Sequence, residues 1–525
     1  MSEYPVQREQ VAGLQGSPAR SMVLERVKRI RRRWWVLLAV VALAALRIAF
    51  WGRPGKTEFV LRPAEKSGEW LIERRASQET WRAFDDDGDG VMDRFETPAG
   101  AWVRPGLRTP PIRWLIICLD NAPFVRLEAL WQRGHFREFH RPSATVSLFP
   151  SDSETAITSA LHSAPVPGYE HQYFDRTANA MRGGVFVTLT GTNVHYIRRF
   201  DYVATGWQKA VHYALPARSY RADLGRLRAR FLASNDPVYL AHVSGGDAVF
   251  HLLEREETDR LLIEFEAVVR DLYLTARGEL GVILWSDHGN TLTVSRGVEL
   301  ADLLERRGWR LTTSLQGPRD AVVPAYGLVG FFVVYCQREA IPRLAQDLRA
   351  LRGADLVIYR HPAGHAAVIL DDSEDHHGRA VLRWSADGSR YRYEAEEGDP
   401  LELCPVFEQL GAEGKLDAQG WARDADLFTA TARGRYPDAA ARIRGWATNH
   451  VRNPSDLVVS LKLGYYQGKG IFQHLVTMRG THGALDAPST LGFAMATHLL
   501  PPTVRLADLI PEELLNSLVK RDQRQ

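Results

Sequence analysis

Three apolar runs after residue 110 are continuous rather than alternating: WLIICL (114–119), PVYLAHV (237–243) and GVILW (281–285). Strands buried on both faces read this way, and such strands belong to parallel sheets covered by helices. LFPSDSETAITSALHS (148–163) reads as a turn running into a helix. After residue 295 the pattern changes. EAIPRLAQDLRALRG has helical spacing, and AVLRW and RYRYE alternate on either side of SADGS, where Asp-Gly marks a hairpin turn. Residues 296–455 therefore read as an inserted α+β cap. The core resumes at DLVVSLKLGYY and ends near residue 500, and LADLIPEELLNSLV predicts a C-terminal helix within 501–525. Upstream, 52–110 reads as a small module: a helix-like stretch SGEWLIERRASQETWRAF, an acidic loop, then the Pro-rich linker VRPGLRTPPIR. The predicted class is α/β, a mostly parallel sheet flanked by helices over 111–295 and 456–500, with the cap between the two parts. No internal repeat is visible.

The chain has 525 residues with Lys+Arg 66 against Asp+Glu 63. That balance carries no nucleic-acid-binding signature. The basic excess is local: Arg20, Arg26, Lys28, Arg29, Arg31, Arg32 and Arg33 precede WWVLLAVVALAALRIAFW, residues 34–51. That run is about the minimum length of a spanning helix. Basic residues before it predict a cytoplasmic tail over 1–33, a single-pass anchor, and a periplasmic or extracellular remainder. A cleaved signal peptide is the other reading; the long n-region and the lack of a clean A-x-A site weigh against it. Cys118, Cys336 and Cys404 are too few for a disulfide framework. Cys118 falls in an apolar strand, and Cys336 and Cys404 are free to pair only outside a reducing compartment.

DDDGDGVMDRFE (85–96) fits the calcium-loop template D-x-[DN]-x-[DN]-G-x5-E without exception. The template assigns Asp85, Asp87, Asp89, the carbonyl of Val91, Asp93 and bidentate Glu96 as ligands of one calcium ion. An acidic surface loop is the plain alternative. The loop is single, so a structural brace fits it better than a sensor. A second chemical set is scattered: Asp120 in WLIICLD, Ser153 in SDSET, Asp247 and His251 in GGDAVFH, Asp287 and His288 in WSDHG, and His482 in GTHGALD. Carboxylates and imidazoles are what zinc accepts, and Asp247 and His251, four apart, share one face of a helix. Each piece alone has a plain reading as a helix cap, a polar turn or a surface pair. His365, Asp375, His376 and His377 form another His-rich stretch, which reads as a solvated loop.

The order Asp, Ser/Thr, Asp-x-x-x-His, Asp-His-Gly, Gly-x-His-Gly resembles the alkaline phosphatase superfamily, in particular its nucleotide pyrophosphatase/phosphodiesterase-like branch. The resemblance covers roughly 110–295 and 455–500. It implies two zinc-like divalent ions. Asp120, Asp287 and His288 would hold the one beside the nucleophile; Asp247, His251 and His482 would hold the one beside the leaving group. Gly289 and Gly483 would provide tight backbone. Ser153 best matches the nucleophile, with Ser151 and Thr155 as alternatives. The family's phosphate-binding asparagine falls near Arg176, a departure that leaves Arg176 open between substrate binding and a surface role. No sulfatase-type motif surrounds Ser153. The implied activity is hydrolysis of a small phosphorylated substrate, a phosphodiester or phosphomonoester, through a phospho-serine. A head-group transferase acting on a cell-envelope glycan and a degenerate calcium-braced scaffold are the rival readings.

Overall fold

The computed structural model describes residues 57–107, 110–184, 195–204, 206–324, 327–372, 377–448, 450–468 and 477–522. The 1–33 tail, the 34–51 run, Asp375 and His376 lie outside them. Among the described residues no helix is long and apolar enough to cross a membrane.

The stretch expected to be helical at 67–84 is instead a β-hairpin. Strands β1 (Phe59–Pro63), β2 (Glu69–Arg74), β3 (Glu79–Phe84), β4 (Arg94–Thr97) and β5 (Gly100–Val103) form an antiparallel meander. The reason is visible in retrospect. Ile72, Trp81 and Ala83 are buried while Glu73, Thr80 and Arg82 are not, which is a period of two. Gln78 turns the hairpin at φ +54°. The acidic loop is thus flanked by strands β3 and β4. The module is no loose linker, since Phe59, Trp81 and Phe95 share a core cluster with Phe265, Val269 and Tyr273.

The chain then lays down β6 (Arg113–Leu119), helix α1 (Phe124–Gln132), β7 (Ser143–Val146), α2 (Ser153–Ala160), β8 (Tyr202–Val203), α3 (Gly206–Ala214), α4 (Pro216–Ala233), β9 (Val238–Val243), α5 (Gly245–Leu252), α6 (Arg255–Thr275) and β10 (Leu280–Trp285). It leaves to build a second sheet from β11 (Phe331–Val334), α7 (Ile341–Arg349), β12 (Ala354–Arg360), β13 (Ala366–Asp372), β14 (His377–Trp384), β15 (Arg390–Glu397), β16 (Ala422–Arg423) and β17 (Leu457–Leu461). It returns with β18 (Leu491–Ala496) and β19 (Thr503–Arg505), and ends in α8 (Glu512–Asp522).

Among the described residues the first sheet has the order β8-β9-β6-β10-β18-β7-β19. Strands β8, β9, β6 and β10 are mutually parallel, β18 is antiparallel to both neighbours, and β19 is parallel to β7. The core is therefore a mixed sheet, and it extends past residue 500 through β19. The continuous apolar runs behave as expected: Ile116 and Cys118 face one core cluster, and Leu115, Ile117 and Leu119 face the other. The second sheet, β11-β17-β12-β13-β14-β15-β16, is antiparallel throughout. It claims LVVSL of β17, which the sequence reading gave to the core. A strand buried on both faces fits either sheet by pattern alone. The hairpin β14–β15 and helix α7 form where expected, and all three cysteines are free thiols.

One buried ionic cluster ties α6 to the loop after α1. Arg270 pairs with Glu138 and Glu266, both nearly fully buried. Glu266 also accepts from the Phe136 N–H at 2.7 Å. Removing one partner strands the others as buried like charges. Arg270→Met should lower unfolding stability by about 3–5 kcal/mol in urea titration; a loss under about 1 kcal/mol would show the cluster to be solvated.

Candidate metal centre

The three parallel strands β6, β9 and β10 end side by side, and the chemistry collects at their carboxyl ends, as open α/β sheets arrange it. Asp120 follows β6. Asp287 and His288 follow β10. Asp247 and His251 sit on α5, which begins just after β9. The return loop into β18 brings His482. Two ligand groups result: Asp120, Asp287 and His288, and Asp247, His251 and His482, the donor atoms within each lying within 4.8 Å of one another. The groups adjoin, for the His288 and His482 rings stack at 3.9 Å between centroids. The six metal-ligand candidates of the catalytic set are thus brought together. The backbone is tight as expected. A Cβ on Gly289 would lie 2.3 Å from the Pro488 carbonyl oxygen, and Gly483 has φ +102°. Gly246 was not singled out, yet a Cβ there would meet the Asp120 carbonyl oxygen at 2.5 Å.

The histidine tautomers are fixed by the backbone. His251 Nδ1 lies 2.7 Å from the Gly480 carbonyl, His482 Nδ1 2.8 Å from that of Ser151, and His288 Nδ1 3.0 Å from that of Gly289. A carbonyl only accepts, so each Nδ1 carries the proton and each Nε2 faces the carboxylates. Burial brings the His288 imidazole down to about 4. It also takes His482 well below its ordinary value, helped by His288 and His251. Both are neutral. Burial opposes the charged form of Asp247, but the adjoining His251 holds its carboxyl far below the usual range. Burial, then Asp287 and Asp247, push Asp120 well above it.

These atoms fit a cation. Asp287 Oδ2 is fully buried and has no hydrogen-bond partner, and His288 Nε2 stands 3.2 Å away. With the proton on Nδ1, that contact sets two acceptors face to face. Something positive between such donors relieves the repulsion, and mixed carboxylate and imidazole sets suit zinc-like ions.

Ser153 occupies the first turn of α2, where helix N–H groups favour anions. Its hydroxyl lies 3.3 Å from Asp120 Oδ1 and 3.1 Å from His288 Nε2. The alternatives face elsewhere. Ser151 Oγ donates to the Leu148 carbonyl at 2.9 Å and accepts from Arg442 at 3.1 Å. Thr155 Oγ1 donates back to the Asp152 carbonyl at 3.0 Å. Arg176 pairs with Asp456 and stands over the Tyr335 ring.

The calcium template is met in part. Asp85, Asp87 and Asp89 converge. Asp93 is buried and bonded to Arg104 at 2.8 Å, Glu96 pairs with Arg94 on β4, and the Val91 N–H goes to Asp89 at 2.8 Å. The last two side-chain ligands of the template are thus paired with arginines. His377 pairs with Asp372, and among the described residues the His-rich stretch forms no ligand group.

Three supporting residues escaped the sequence reading. His242, in the middle of β9, places Nε2 2.9 Å from Asp120 Oδ2. Burial and the positive charge of Lys209 bring it down to about 3, so it is neutral and donates. The signal was there: an imidazole inside a continuous apolar run. Tyr213 on α3 donates to Asp247 Oδ2. Asp223 on α4, fully buried, accepts from Gly245 N–H at 3.2 Å at the start of α5 and from Tyr202 and Arg226. Burial opposes its charge, but His212 and Arg226 bring it to about 2. It thereby anchors the helix that carries Asp247 and His251.

No family model matches the chain, and no curated protein matches it. Among solved structures it is similar to phosphonoacetate hydrolase from Sinorhizobium meliloti 1021 in complex with phosphonoformate. Identity there is 13%, covering 80% of this chain and 97% of that one, with a TM-score of 0.42. It is also similar to murine ectonucleotide pyrophosphatase/phosphodiesterase 5, at 10% identity over 77% and 95% of the two chains, with a TM-score of 0.39.

Metal-stripped protein reloaded with zinc should bind two ions per chain by mass spectrometry of the metal, and His251→Ala one. His242→Ala should keep both ions but weaken one by about 10–100-fold, the usual cost of losing a group that orients a ligand. Full occupancy and unchanged affinity in both variants would contradict the assignment.

Proposed function

We propose that the chain is a two-metal phosphoesterase in which Ser153 is the nucleophile. The observation that carries this reading is the Ser153 hydroxyl, in contact with Asp120 and His288 at the start of α2. A hydroxyl among buried carboxylates and neutral imidazoles is an unusual expense of buried polarity unless it reacts. Divalent ions held by Asp120, Asp287 and His288 and by Asp247, His251 and His482 would supply positive charge to the phosphoryl oxygens.

The chain's own residues do the rest. The α2 N-terminus attracts the anionic phosphoryl group. Ser153 Oγ bonds phosphorus as the P–O bond to the leaving group breaks, and the hydroxyl proton passes through water to the departing oxygen, which leaves as the alcohol; Asp120 and His288, in contact with the hydroxyl, orient it. Water then cleaves the phospho-serine and restores the hydroxyl. His242 holds Asp120, and Tyr213 holds Asp247, in one orientation throughout. The substrate class is a phosphodiester or phosphomonoester. The basic block and the 34–51 run support a membrane anchor with the catalytic part outside the cytoplasm.

Zinc-loaded protein should release nitrophenol from a nitrophenyl phosphodiester or monoester without an added acceptor. Ser153→Ala should keep the circular dichroism and both metals yet lose kcat by roughly a thousandfold or more. A fully active Ser153→Ala would overturn the nucleophile. Release that needs an added glycan alcohol would point to a transferase.

The convergence of Asp85, Asp87 and Asp89 supports a calcium brace in the β-module. Calcium at a hundredfold excess over Kd should then stabilise the folded state by about 2.7 kcal/mol. Asp87→Asn should abolish that shift in thermal melting while activity stays. A melting curve indifferent to calcium would reduce the loop to an acidic turn.

A further inference from the structure

Asn121 directly follows Asp120 and is fully buried. Its φ is +63°, a left-handed conformation that asparagine tolerates better than most residues. In that conformation it reaches both ligand groups. Its backbone N–H donates to Asp287 Oδ1 at 3.0 Å, and its side-chain amide donates to Asp247 Oδ1 at 3.1 Å. Asp287 and Asp247 belong to different groups.

The amide's orientation follows from a chain of bonds with a fixed end. The Leu292 N–H can only donate, and it does so to Asn290 Oδ1 at 2.8 Å. Asn290 must then turn its Nδ2 to Asn121 Oδ1, 3.0 Å away. That leaves Asn121 Nδ2 as the atom facing Asp247. Asp247 Oδ1 is also the oxygen 3.1 Å from His251 Nε2 and 4.0 Å from His482 Nε2. Asn121 thus holds the one carboxylate atom on which the second group is centred.

We propose that Asn121 is a positioning residue that sets the second cation subsite, Asp247–His251–His482, against the first, Asp120–Asp287–His288. The inference rests on the two-cation reading above. Two ions that share one phosphoryl group must sit about 3.5–4 Å apart. The direction of the carboxylates is what sets such a separation. Asn121 governs one carboxylate through its backbone and one through its side chain. The backbone arm survives substitution, so loss of the amide acts on the Asp247 subsite alone.

The test is zinc titration of the metal-stripped full chain against a chromophoric chelator. Asn121→Gly keeps the left-handed backbone and deletes the amide. Asn121→Asp keeps the acceptor for Asn290 and turns an oxygen toward Asp247, so it serves where the glycine variant fails to fold. In either variant one zinc should bind as in the wild type, and the other should weaken by about tenfold or more. In a His251→Ala background the remaining zinc should ignore Asn121→Gly. Two unchanged affinities, or two equally weakened ones, would overturn the proposal and leave Asn121 a residue of the fold. A wild-type chain that binds fewer than two zinc ions would overturn the two-cation reading itself, and the proposal with it.

Discussion

Three carboxylates, buried Asp120 and Asp287 and half-buried Asp247, gather at the ends of neighbouring strands. Like charges gathered in a low-dielectric place repel strongly, and only protons or cations can balance them. The surroundings are built to favour cations. Three backbone carbonyls take the Nδ1 protons of His251, His288 and His482, which turns three Nε2 atoms toward the carboxylates. The His242, Tyr213 and Asn121 donors then hold at least one oxygen of each carboxylate. The hydroxyl of Ser153 enters this field at the N-terminus of a helix.

The fold supplies that convergence. Parallel β6, β9 and β10 bring Asp120, α5 and Asp287 to one edge of the sheet. His482 arrives from a distant part of the chain, after the second sheet has been completed. Antiparallel β18 then locks the return by pairing with β10. Asp223 steadies α5 from below through the Gly245 N–H. The β-module at the N-terminal side shares the core cluster of α6, so it braces the scaffold on the face turned away from the second sheet's cluster.

Much of this was legible in the residues. Continuous apolar runs marked the central strands, and the polar residues that end them marked the ligands. Spacing put Asp247 and His251 on one helical face. What stayed hidden has physical reasons. The 67–84 hairpin mixes Trp, Ile and Leu with charged residues closely enough to mimic a helical stripe, and its Gln78 turn carries no Gly or Pro. LVVSL of β17 is buried on both faces in either sheet, so periodicity could not assign it. The calcium template named Asp93 and Glu96, but Arg104 and Arg94, close in sequence, compete for them. The pairing of Arg176 with Asp456, 280 residues on, could not be read from the chain. Asn121 and Tyr213 show no pattern at all, since their roles depend on contacts across the fold.

The most direct measurement is a crystal structure of the zinc-loaded chain with anomalous scattering recorded at the zinc edge. The account expects two peaks, one among Asp120, Asp287 and His288 beside Ser153 Oγ, the other among Asp247, His251 and His482. A single peak, peaks elsewhere, or no peak with these side chains still in place would contradict it.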